Sequence, residues 1–108
     1  MTTDSSFFQQ VYEIVQSVPA GKVTTYGAIA QALGTKDARR IGHALHANPD
    51  SSITPCHRVV NKEGRLAPGY AFGGPNEQLH KLQMEGVPFT ADGNVDLKQS
   101  LFIPKVIR

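Results

Sequence analysis

The chain's single cysteine stands in the stretch PCHRVV, residues 55–60, with a histidine and an arginine directly after it. A thiolate is a strong nucleophile, and a thiol of ordinary pKa near 8.5 needs a neighbouring base or cation to reach that form. His57 is the candidate base, and a thiol activated by a cationic setting would ionise below that value. Consecutive residues of a strand point to opposite faces, so either the chain bends at Cys56 or a water relays the proton to His57. Pro55 favours an irregular entry into the strand. The base needs an orienting group in its turn, for which Glu85 is the best-placed carboxylate and Glu77 the alternative on spacing. Set against this, free cysteines are often buried and inert, and a neighbouring histidine is frequently accidental. One cysteine and four scattered histidines show none of the paired spacings that zinc needs.

These residues must be held by a mostly helical framework. SFFQQVYEIVQSV puts Phe7, Phe8, Val11, Ile14, Val15 and Val18 on one face, after a cap at Asp4 or Ser5 and before PAGK. A short KVT strand follows, then a helix YGAIAQAL capped by Thr25 and stopped at Gly34. The next helix, KDARRIGHALHAN, has Thr35 as its cap and Pro49 beyond its end. Two helices joined by so few residues read as a helix-turn-helix, whose second helix commonly enters a DNA groove. On that second helix Ala38, Ile41 and Leu45 share one side, while Arg39, Arg40, His43 and His46 share the other, with Gly42 between. HRVV and RLA around the turn NKEG read as a small hairpin. The predicted fold is mainly α with a small β-hairpin, a winged helix-turn-helix. After the glycine-rich GYAFGG, Pro75 opens and Gly86 closes a last helix, PNEQLHKLQMEG.

Length and composition agree with a single unit. With 108 residues and 40% apolar side chains, the expectation is one compact domain over 1–108, its core at about 5–90 and a less periodic tail at 91–108. The net charge of +2 is concentrated: residues 35–66 hold six of the lysines and arginines against three acids, plus three of the four histidines. Such a basic centre suits a polyanion, although a solvated basic face has the same composition. The N-terminal stretch has no signal-peptide pattern and no run is long enough to span a membrane, so a cytoplasmic setting without membrane contact is expected. A lone thiol fits a reducing compartment.

Taken together, TYG at 25–27, ARRIGHAL at 38–45, NP at 48–49, PCHRVV at 55–60, GY at 69–70 and LQMEG at 82–86 resemble the C-terminal domain of the O6-alkylguanine-DNA alkyltransferases. They resemble equally the short alkyltransferase-like proteins. The likeness covers roughly residues 5–90. It implies a monomer that needs no cofactor, binds duplex DNA containing O6-alkylguanine through the minor groove and flips the damaged base into a pocket. There a cysteine takes the alkyl group once, as a stable thioether.

Carried over by position, Cys56 is the acceptor, His57 its base through a water, Glu85 the group that orients His57, and Asn48 the hinge between recognition helix and active-site strand. Arg39 is the finger that fills the emptied base stack, Tyr26 rotates the phosphate at the lesion, and Arg40 and Gly42 lie at the DNA. Tyr26, Pro55, Val59 (through its backbone) and Tyr70 line the alkylguanine pocket. The chain also departs from the alkyltransferases. They carry a further domain before this module, which these residues do not include, and their YSGG loop is shorter than GYAFGGPNEQ. That loop and the MEGV ending look more like the alkyltransferase-like proteins, which sense the lesion and recruit nucleotide excision repair. Those proteins typically have tryptophan or alanine where Cys56 stands. Two other readings therefore stay open: a non-catalytic sensor that keeps its cysteine, and a winged-helix transcription regulator in which Cys56 is structural.

Overall fold

The computed structural model describes residues 3–106. Its elements in chain order are α1 (Thr3–Gln16), β1 (Thr24–Thr25), α2 (Tyr26–Ala32), α3 (Ala38–His46), a 3-10 turn (Cys56–Arg58), β2 (Val59–Val60), α4 (Gly74–Met84) and α5 (Leu97–Ser100). The apolar stripe of α1 does what its spacing predicts: Val11, Ile14 and Val15 are buried, Val18 follows just past the helix, and Phe7 and Phe8 pack at the edge. The caps expected at Asp4 or Ser5 are overtaken by a helix that already begins at Thr3, and their side chains lie outside the described ones.

Local chemistry sets the helix ends. Thr25 caps α2, its Oγ1 accepting from the Ala28 N–H at 3.0 Å. The cap of α3 is Asp37 and not Thr35, because Asp37 Oδ1 accepts from Arg40 N at 3.2 Å. Thr35 instead accepts from Asp37 N, two residues before the cap. Pro75 sits in the first turn of α4, and Gly86, at φ +79°, takes the left-handed position that ends it.

The expected hairpin is not formed. Val59 and Val60 pair in parallel with Thr24 and Thr25, in the register Thr24↔Val59 and Thr25↔Val60. NKEG does turn, with Asn61 N donating to Arg65 O and Gly64 N to Asn61 O, but RLA runs on as irregular chain. The apolar pair of PCHRVV thus finds its partner 35 positions back along the sequence, which no local pattern announces. His57 and Arg58 belong to the 3-10 turn, not to the strand.

Two apolar clusters result. α1, α2 and α3 enclose the larger one together with Cys56, Val59 and Tyr70. Val23, Val60, Leu82, Val87 and Val95 form the smaller. The latter draws in the tail, which is less irregular than its sequence suggested: Val95 bridges Phe89, while Val23 donates to Ser100 O at 2.9 Å and accepts from Phe102 N at 2.7 Å. Among the described residues, no helix is long and apolar enough to cross a membrane.

Candidate active site and nucleic-acid interface

The bend required at Cys56 is supplied by the 3-10 turn, in which Arg58 N donates to Pro55 O and Val59 N to Cys56 O. Three contacts clamp this turn. Gln78, fully buried in α4, donates from Nε2 to the carbonyls of His57 (3.1 Å) and Val59 (3.0 Å) while its Oε1 accepts from Ala67 N (2.7 Å). Arg58 reaches Val18 O at the end of α1 (2.8 Å) and Glu85 at the end of α4 (2.6 Å). Asn48, buried just after α3, donates to Thr54 O at 2.8 Å and accepts from Asp50 N. Gln16 of α1 steadies the same loop by donating to Thr54 Oγ1.

Of the two candidate carboxylates, Glu85 is the one His57 meets, with Nε2 to Oε2 at 2.9 Å; Glu77 stands beside His80 instead. With Nε2–H donating to Glu85, the basic nitrogen of a neutral His57 is Nδ1, which is buried and has no protein partner among the described residues. Burial lowers the pKa of His57 against the opposing pull of Glu85, so the ring is neutral near pH 7. Burial also pushes the Glu85 carboxyl up, but hydrogen bonds from Arg58 and His57 outweigh it and hold the group below its ordinary value.

Cys56 departs from expectation. Burial raises its thiol above the ordinary value, and hydrogen bonds from Asn48 and Tyr70 with the charge of Lys81 only partly oppose this. The reason is its 4% exposure, together with a His57 ring committed through Nε2 to Glu85. The same sulfur lines a pocket of about 220 Å³ with Tyr26 from α2, Gly42, Leu45 and His46 from α3, and the loop 67–71. Of the four residues expected at the alkylguanine pocket, Tyr26 and Tyr70 line this cavity, and Pro55 and Val59 do not. Val59 is spent elsewhere: its N–H goes to Cys56 O, its carbonyl to Gln78, and its side chain to the core.

On α3, Ile41, Ala44 and Leu45 are buried, while Ala38, expected with them, is exposed. Arg39, His43 and His46 are exposed; Arg40 is half-buried, its guanidinium 4.0 Å from the ring centre of Phe7. That stacking ties Arg40 to α1 and separates it in kind from Arg39. The sequence reading also passed over Gln78 and Lys81, which carry no local signal because their partners are 11 to 21 residues away. His46, on the basic side of α3, also lines the pocket. Among the described residues, no group of three His, Cys, Asp or Glu side chains is arranged to hold a metal ion.

A family model described as the DNA-binding domain of 6-O-methylguanine DNA methyltransferase matches residues 6–87. The chain belongs to this family. Within it, the chain is 38% identical over 102 residues to the DNA base-flipping protein of Escherichia coli K12, covering 92% of this chain and 76% of that one. It is 40% identical to the methylated-DNA-protein-cysteine methyltransferase of Salmonella typhimurium, over 79% of this chain but only 49% of the relative. The crystal structure of S. pombe Atl1 in complex with damaged DNA containing O6-carboxymethylguanine superposes with a TM-score of 0.78 at 33% identity, covering 94% of this chain and 98% of Atl1.

Proposed function

We propose that this protein is a DNA-repair protein that binds duplex DNA at an O6-alkylated guanine, flips that base into the pocket beside Cys56 and takes the alkyl group onto the sulfur. The observation that carries the reading is a nucleophile in the wall of a cavity lined by both helices of a helix-turn-helix and by the loop 67–71, with a histidine-carboxylate pair in the next position of the same turn. A base inside a duplex cannot reach a protein thiol, so extrusion is required, at a cost of a few kcal/mol that contacts to phosphates and a wedge in the stack must offset. Arg39, exposed on α3, is the wedge, and Tyr26 and Gly42, which line the pocket, meet the DNA beside it.

In the transfer step a water carries the Cys56 proton to His57 Nδ1, and Glu85 steadies the resulting imidazolium. The sulfur attacks the alkyl carbon, a C–S bond forms, and the C–O6 bond breaks with its electron pair passing to guanine O6. The guanine anion takes a proton from water, and the imidazolium returns its own to the solvent. The thioether has no residue here to reverse it, so each chain acts once.

One observation favours a second reading, a lesion sensor that hands the site to nucleotide excision repair: Cys56 is only 4% exposed, and burial pushes its thiol up. Intact-protein mass spectrometry separates the two. With excess O6-methylguanine duplex, transfer adds one methyl group per chain and leaves guanine in the DNA. An unmodified mass in a sample with proven lesion binding establishes the sensor. Equal affinity for duplexes with and without the lesion overturns both.

A further inference from the structure

We propose that Lys81 is a positioning residue for Cys56: through Tyr70 it holds a proton donor toward the sulfur, and its own charge favours the thiolate. The inference rests on the reading of Cys56 as the reactive thiol. Lys81 lies on α4, and its Nζ donates to Tyr70 Oη at 2.8 Å. An ammonium can only donate, so the Tyr70 oxygen is the acceptor in that bond and its own proton must point elsewhere. Tyr70 and Cys56 line the same pocket and belong to the same buried cluster, so the sulfur is an acceptor within that wall toward which the phenol can turn its proton. Lys81 Nζ is 5.1 Å from the Tyr70 ring centre and 5.5 Å from that of Phe72, and the two rings lie 5.9 Å apart. The stem is thus walled by aromatic rings and the ammonium has little freedom to leave.

The other groups around the sulfur do not supply this charge. Tyr12 from α1 and Tyr26 from α2 are phenols whose pKa burial raises, with the sulfur's charge adding to it, and Asn48 is a neutral donor. Glu77 and Glu85 act on Tyr70 as anions, and Glu85 is taken up by Arg58 and His57. His57 is neutral near pH 7. Lys81 is the formal cation acting on the sulfur, in a half-buried setting where such a charge is weakly screened.

The test is the rate at which iodoacetamide alkylates the full chain without DNA, followed from pH 7 to 11.5. The thiolate attacks the methylene carbon, and iodide leaves with the electron pair of the C–I bond. Lys81→Met, which keeps a stem for the two rings, should move the midpoint up by about one pH unit, and Lys81→Arg should restore most of it. Lys81→Gln, a neutral donor to Tyr70, should give a smaller upward shift than Lys81→Met. An unmoved midpoint in Lys81→Met and Lys81→Gln, with far-UV dichroism unchanged, overturns the proposal. A wild type that takes no methyl group from DNA while the midpoints still shift removes the transfer reading and leaves this one standing.

Discussion

Gln78 is tied to His57 through the backbone: its Nε2 donates to the His57 carbonyl at 3.1 Å from a side chain with no exposure at all. The same amide binds Val59 O and Ala67 N, so one residue of α4 sets the reactive turn against the loop that walls the pocket. Gln78→Leu has similar bulk and strands two carbonyls and one N–H in the interior. It should lower stability by about 2–4 kcal/mol in urea unfolding. Gln78→Glu should cost a comparable amount, since it offers no second donor to the carbonyls.

Stability should fall on the acid side in two stages. His57 has a folded pKa below its ordinary 6.5, so the unfolded chain binds the proton more tightly and stability declines as pH drops through and below that value. Glu85 is depressed below its ordinary 4.5, so its contribution is present above that pH and is lost as pH falls through its folded value. Urea midpoints measured from pH 8 to 3 should show both. His57→Gln should flatten the upper stage, and Glu85→Gln the lower one at the cost of a less stable protein throughout.

Arg39 and Arg40 are neighbours with different duties. Arg39→Ala should leave the unfolding midpoint within about 0.5 kcal/mol of wild type yet weaken binding to an O6-methylguanine duplex by more than a phosphate contact would. Arg40→Ala removes the guanidinium from the Phe7 ring and should cost about 0.5–1 kcal/mol of stability. Its effect on DNA should appear as a shallower salt dependence, read by titrations at several ionic strengths.

Gly64 tests the tail. At φ +83°, an added Cβ would clash with Val95 O, and Val95 N donates to Gly64 O at 2.8 Å. Gly64→Ala should therefore destabilise by at least about 2 kcal/mol, whereas Gly69→Ala, whose Cβ meets nothing within 4 Å, should be tolerated. Thermal unfolding of the two variants side by side measures the difference.

What the sequence made legible was what neighbours decide. Thr25, Pro75 and Gly86 do their work within a few residues, so those helix ends were readable; Asp37 displaced Thr35 only because both can serve and one sits two residues nearer. The pairing of Val59 and Val60 with Thr24 and Thr25 was not readable, since a two-residue parallel strand has no period to show. For the site, the type and order of Cys56, His57 and Glu85 pointed to chemistry. The raised thiol could not be foreseen, because it follows from burial by α1, α2 and α3 together.

The bonds from Val23 to Ser100 and Phe102 bear on synthesis as well as on shape. β1 lies between β2 and this tail, so the segment beside the reactive turn is flanked on both sides only after residue 102 has left the ribosome. The first three helices can collapse on one another earlier, as their contacts are closer in sequence. Until the tail arrives, the Val23 edge and the apolar faces of Val60 and Leu82 stay open to other chains. In the nascent protein, then, the vulnerable surface is the sheet edge, and the stretch that shields it is translated after every element it covers.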